Sequence, residues 1–246
     1  MKIIAGNWKM NGVPSVNKQR LHSIRSLYTP GEDKVIVFPP YTSLGDAKDV
    51  LDGSGIAWGA QNVYCRDEGA YTGEISVSML LDLGVTYCLV GHSERRQYFK
   101  EDGAFLKEKI RVLMAAGIIP IYCIGETLEQ YEDGLVTGVL ERQLREALVG
   151  HPEINRNTFI IAYEPVWAIG TGKTATPEEA DRTMGMIREI LAQLEYPIDI
   201  NLLYGGSAKP GNAKVLLSQD NIDGLLIGGA SLESESFNAM INWRES

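Results

Sequence analysis

Eight short apolar runs recur along the chain, at residues 3–5, 35–38, 56–59, 87–90, 119–124, 159–163, 202–204 and 225–227. Each is too short for a helix and too continuously apolar for a strand with one wet face, the pattern of strands buried on both sides. Between them lie amphipathic segments with helical spacing, such as 105–116, 139–148, 177–194 and 212–217. Strands alternating with helices build right-handed βαβ units on a parallel sheet. No linker, charge block or low-complexity stretch divides the 246 residues. Eight such units in a single domain over 1–246 therefore predict an α/β fold closed into a (β/α)8 barrel, with a doubly wound open sheet as the alternative. A hydrophobic content of 44% supplies the core that a domain of this size needs.

The residues that end the runs favour the barrel. Asn7 and Lys9, Gln61 and Asn62, His92 and Ser93, Gly125 and Glu126, Glu164, Gly205 to Ser207, and Gly228 with Gly229 are not choices that packing alone would make. In a parallel barrel they share one rim, where barrel enzymes keep their chemistry. The stretch 159–175 is the most informative. Its apolar run ends on Glu164, fixed by Pro165, and then enters a loop in which Gly170 and Gly172 are bounded by bulkier residues. That spacing predicts a hinged lid over 165–175.

Two other motifs overlap this loop and fail on their own physics. Gly172-Lys173-Thr174 looks like the end of a phosphate-cradling P-loop, but the glycine that motif needs is Trp167. Gly170-x-Gly172-x-x-Ala175 matches a dinucleotide fingerprint, whose glycines must turn straight into a helix. Here the helix signal starts later, with Thr176 as N-cap, Pro177 at the first position and Glu179 closing a capping box.

His92 precedes Ser93-Glu94-Arg95-Arg96, which reads as a helix start capped by Ser93. An imidazole beside a helix N-terminus is disfavoured as the cation and is expected to stay neutral. Glu94 and Arg95 read as an internal ion pair or as residues that support a neighbouring site group. His22 and His151 lie in helix or loop contexts and no cysteine pair has zinc spacing, so no metal site is expected. Bare glycines after the last two strands let backbone N–H groups approach an anion, as the loops after strands 7 and 8 of barrels frequently do.

The net charge of −9 argues against nucleic acid and anionic membrane as partners, since both require a basic surface. Cys65, Cys88 and Cys123 read as reduced structural thiols. No signal-like segment opens the sequence, and the longest apolar run, around 115–125, is too short and broken to span a bilayer. The expected location is cytoplasmic.

Taken together, Asn-Trp-Lys-Met-Asn (7–11), Gly-Ala-Gln-Asn (59–62), Gly-His-Ser-Glu-Arg-Arg (91–96), Cys-Ile-Gly-Glu (123–126), Ala-Tyr-Glu-Pro-Val-Trp-Ala-Ile-Gly-Thr-Gly-Lys-Thr-Ala (162–175), Tyr-Gly-Gly-Ser (204–207) and Gly-Gly-Ala-Ser-Leu (228–232) closely resemble the triosephosphate isomerase family. The matches run in order over almost the whole chain. The resemblance implies that family's TIM barrel, a triose phosphate substrate, no cofactor, and a homodimer joined through the 61–74 loop, with Tyr71 and Thr72 near its tip. It implies Glu164 as base, His92 as electrophile, Lys9 as fixed positive charge and Asn7 as its orienting neighbour. The family is itself the standard example of a glutamate base paired with a neutral histidine, so these roles come from the resemblance and are not deduced. The resemblance also places Gly170, Gly172, Ser207, Gly228 and Gly229 around the substrate phosphate. One departure stands out: Val77 occupies the middle of Ser-Val-Ser (76–78), where the family pattern leads one to expect proline. A Schiff-base role for Lys9, or a barrel that binds phosphate without catalysis, are the rival readings. The first calls for a desolvated lysine, and the second has no use for the Glu164 and His92 pair.

Overall fold

The computed structural model describes residues 1–168 and 175–245. Strand β1 (Ile3–Asn7) is followed by β2 (Lys34–Phe38), β3 (Ile56–Ala60), β4 (Tyr87–Val90), β5 (Ile119–Ile124), β6 (Ile160–Tyr163), β7 (Asn201–Tyr204) and β8 (Gly224–Ile227). All eight expected runs are strands. Each pairs in parallel with its sequence neighbours, and β8 returns to β1 in the register Ile3↔Gly224 to Gly6↔Ile227. That last pairing closes the sheet and rules out the open alternative.

The strand side chains alternate between two apolar environments. Ala5, Ile36, Leu89, Ile121, Ala162 and Leu203 fill the barrel interior. Ile4, Val35, Val90, Ile161 and Leu202 point outward into the larger core beneath the helices. This two-sided burial is why the strands read as unbroken apolar runs. Because the strands are parallel, their eight C-terminal ends form one rim. Cys123 lies in the interior and Cys88 in the outer core, where burial pushes both thiols above the ordinary cysteine value; Cys65 is partly exposed and all three are free.

The helix boundaries follow their local signals. Helix Pro177–Gln193 has the expected capping box: Thr176 Oγ1 accepts from the Glu179 N–H at 3.1 Å, and Glu179 Oε2 accepts from the Thr176 N–H at 2.8 Å. Helix Val136–Leu148 starts one turn before the apolar periodicity does, because its first turn holds no fully buried side chain. Helix Pro210–Leu217 starts two residues early, with its proline at the first position. Among the described residues no helix is long and apolar enough to cross a membrane.

The Val77 departure falls at a helix start. Helix Val77–Asp82 is capped by Ser76, whose hydroxyl accepts from the Met79 N–H, so Val77 holds the first helical position with its side chain buried. Proline is favoured there, and the extended Ser76 backbone (φ −88°, ψ 164°) already suits a following proline. Val77→Pro is therefore expected to stabilise the chain by about 0.5 kcal/mol, through a stiffer unfolded state. Thermal unfolding should register this as a rise of about 1–2 °C, and a fall of several degrees would show that the buried valine side chain matters more.

Candidate active site

Glu164 follows β6 directly, and its backbone N–H donates to the Ile124 carbonyl at 2.7 Å, continuing the ladder one residue beyond the strand. The side chain is buried. Oε1 lies 2.9 Å from His92 Nε2, and Oε2 accepts the Ser93 backbone N–H at 2.9 Å. Burial acts to raise the Glu164 pKa. The neighbouring His92 and its hydrogen bond, with the Ser93 N–H, outweigh it and hold the carboxyl below the usual glutamate value.

His92, not Ser93, caps helix Ser93–Tyr98, because its Nδ1 accepts the Glu94 N–H at 3.2 Å. The sequence signal favoured serine as the residue of higher capping propensity. An Nδ1 that accepts carries no proton, which assigns the remaining N–H to Nε2, facing Glu164. The expected neutrality meets an opposing influence, however. Burial lowers the His92 pKa, but the Glu164 carboxylate overcomes it and draws the value above that of ordinary histidine. The helix N-terminus and the carboxylate thus compete for one ring.

Lys9 sits just past β1 with φ of +51°, a conformation that L-residues rarely adopt. Its N–H donates to Asn7 Oδ1 at 3.0 Å, and its carbonyl accepts from Gln61 Nε2 at 2.9 Å. Strain held in place this way is characteristic of functional sites. The ammonium forms an ion pair with Glu94 Oε1 at 2.7 Å. Glu94 therefore supports Lys9, the second of the two expected readings, and Arg95 partners Glu101 at 2.7 Å, so the two do not pair with each other.

Asn7, Lys9, His92 and Glu164 line one cavity of about 400 Å³, together with Ser207, Gly228 and Gly229. A methyl group built on Gly228 would lie 3.6 Å from Lys9 Cε, so the lysine stem passes beside the β8 loop. Gly170 and Gly172, expected to complete the phosphate contacts, lie outside the described residues, as does the middle of the expected lid. Among the described residues no cluster of histidine, cysteine and carboxylate side chains is arranged to hold a metal.

Other rim residues support the cavity from outside it. Glu126 is buried; its Oε1 accepts from Tyr163 Oη at 3.0 Å and from Trp167 Nε1 at 2.7 Å, gripping the chain just beyond Glu164. Gln143 holds both the N–H and the carbonyl of Gly125, at 2.9 and 3.0 Å. A Cβ on Gly125 would fall 1.8 Å from the Glu164 carbonyl oxygen, so only glycine fits there. Sequence reasoning missed Lys209, Ala208 and Ala230, which also line the cavity.

Gly205 offers a direct probe of the Glu164 placement. A Cβ there would lie 2.9 Å from Glu164 Cγ and 3.2 Å from the Tyr163 carbonyl oxygen, so the carboxylate arm has to shift. Gly205→Ala is expected to lower kcat on the order of ten-fold, a fraction of the loss that a full 1 Å misplacement can cause. Circular dichroism should remain that of the parent. Unchanged turnover would mean that the Glu164 position does not govern the chemistry.

Comparison with known proteins gives a consistent result. A model of the triosephosphate isomerase family matches residues 2–244. The chain is 47% identical over 246 residues to a triosephosphate isomerase of Fusobacterium nucleatum, covering 97% of each chain. It is 44% identical over 245 residues to one from Caldanaerobacter subterraneus, covering 98% of each. With one from Carboxydothermus hydrogenoformans it shares 46% over 245 residues, covering 97% of this chain and 96% of the relative.

Proposed function

The chain belongs to the triosephosphate isomerase family, and on that premise we propose that its rim cavity interconverts dihydroxyacetone phosphate and D-glyceraldehyde 3-phosphate. The reading rests on one observation: a buried carboxylate, an imidazole and an ammonium converge on a single cavity with Ser207 and two bare glycines.

The reaction moves a proton between adjacent carbons. Glu164 takes it from the carbon beside the carbonyl, the electron pair flows to the carbonyl oxygen, and the enediolate that results is reprotonated at the other carbon. The His92 Nε2–H and the Lys9 ammonium face the oxygen that gains charge, and Asn7 fixes the backbone of Lys9. Ser207, Gly228 and Gly229 hold the phosphate through donors that approach closely. In the substrate-free arrangement Glu164 is a weakened base, held by the very groups that the substrate oxygen needs. Substrate entry takes over His92, and the carboxylate turns from the Ser93 N–H toward the carbon in a cavity emptied of water, where its basicity rises. A Schiff-base mechanism fits less well, since Lys9 is held as an ammonium against Glu94. The test is a coupled assay in which an NADH-dependent dehydrogenase consumes dihydroxyacetone phosphate formed from glyceraldehyde 3-phosphate. Steady NADH loss that requires the chain supports the reading, and none overturns it.

The same reading carries a cytoplasmic homodimer that needs no cofactor. Met10, Tyr98 and Phe99 are large apolar side chains at the rim, exposed by 97%, 68% and 65%. In the 61–74 loop, Tyr71 packs at a tilt against Tyr64, ring centroids 4.6 Å apart, and Thr72 beside it is exposed. Thr72→Arg is expected to bury an unpaired charge in the subunit contact and shift sedimentation toward monomer. Activity at dilute concentration should fall with it. A parental profile with full activity would refute the assignment of this loop to the contact.

A further inference from the structure

The mouth of the cavity contains a cation that no motif accounts for. Lys209 lines the cavity and is exposed. Its position is fixed through the backbone: Asn212 Oδ1 accepts the Lys209 N–H at 2.8 Å, while Asn212 Nδ2 donates to the Ser207 carbonyl at 3.1 Å. One asparagine thus pins both ends of the loop 207–209, and Pro210 starts the following helix at once. Among the described residues no carboxylate lies within ion-pair distance of its side chain.

Charge balance gives that lysine a task. The chain carries a net charge of −9. Beside the cavity Glu94 offsets Lys9, and with His92 as the neutral tautomer, Glu164 leaves the interior negative. A triose phosphate approaches as a dianion at neutral pH. A net negative interior repels it unless a cation at the entrance offsets that charge. A hydrated ammonium on a mobile stem suits attraction at a distance better than a fixed contact.

We propose that Lys209 is the entry cation of this site, drawing the substrate's phosphate dianion into the cavity from the mouth without gripping the reacting atoms. The inference rests on the isomerase reading and adds the residue that selects phosphorylated over neutral trioses during approach.

The test compares the parent with Lys209→Gln and Lys209→Glu, on glyceraldehyde 3-phosphate and on glyceraldehyde, which lacks the phosphate. Both variants keep the backbone N–H that Asn212 holds. The readout is the ratio of kcat/KM for the phosphorylated substrate to that for the neutral one. At an ionic strength of about 10 mM the ratio is expected to fall about five-fold for Lys209→Gln and further for Lys209→Glu. At about 500 mM, screening should bring all three proteins within about two-fold of one another. A ratio unchanged at low salt overturns the inference. So does a parallel fall for both substrates, which would mark a loop-shaping role, or a deficit that persists at high salt, which would mark a direct grip. A parent inactive on both substrates would instead overturn the isomerase reading itself, and this inference with it.

Discussion

Glu164→Gln is expected to lower kcat on the order of 10²- to 10⁴-fold, the range that a positioned proton-transfer group contributes. That corresponds to roughly 3–5 kcal/mol of barrier. The amide oxygen can still accept the Ser93 N–H, but the side chain cannot take a proton from carbon. Its NH2 would then face His92 Nε2, which already carries the proton because Nδ1 accepts the Glu94 N–H. Glu164→Asp separates basicity from reach. It retains a carboxylate of similar strength but withdraws it by one methylene, about 1 Å, for an expected loss on the order of 10²-fold. In both variants KM should move far less than kcat, since the proposed phosphate contacts lie on other loops. Near-parental turnover in either variant, with circular dichroism showing a folded barrel, would remove Glu164 from the mechanism.

The second large effect concerns Lys9. Lys9→Met keeps most of the stem and removes the ammonium, so the enediolate oxygen loses its only fixed full positive charge among the described residues lining the cavity interior. Loss of a single preorganised stabiliser of developing charge costs about 10²- to 10³-fold, and kcat/KM is expected to fall by that amount. The strained backbone at residue 9 is held by Asn7 Oδ1 and Gln61 Nε2 through main-chain atoms, which the substitution leaves in place. Stability should therefore change little, apart from the cost of leaving Glu94 without its partner. Steady-state kinetics alongside denaturant unfolding will distinguish the two: a fall in kcat/KM of less than about three-fold would confine Lys9 to a structural ion pair.

What the sequence revealed and what it concealed have physical causes. The eight strands were legible because two-sided burial writes each as a continuous apolar run, and the Thr176 cap because a capping box is written within four residues. The ends of the strands pointed to the rim, since parallel topology alone carries them there. Pairings that depend on barrel closure were not legible. Lys9 and Glu94 are 85 residues apart in sequence and 2.7 Å apart in space. Arg95 turned from its sequence neighbour to Glu101, and the helix cap passed from Ser93 to His92, whose ring meets Glu164 just past another strand. Lys209 escaped notice for a related reason: its importance lies in the charges around it, which no local spacing records.

The central claim is that Glu164 moves a proton between carbons of a triose phosphate. The most direct measurement is proton NMR of dihydroxyacetone phosphate incubated with the protein in deuterated water. The parent is expected to place deuterium at the reacting carbon, with the C–H signal collapsing as exchange proceeds, and Glu164→Gln is expected to slow that exchange along with isomerisation. The deuterium content of the glyceraldehyde 3-phosphate is read in the same sample. Exchange into either compound that depends on Glu164 supports the account. Exchange at the parental rate in Glu164→Gln, or no exchange into either compound, would contradict it.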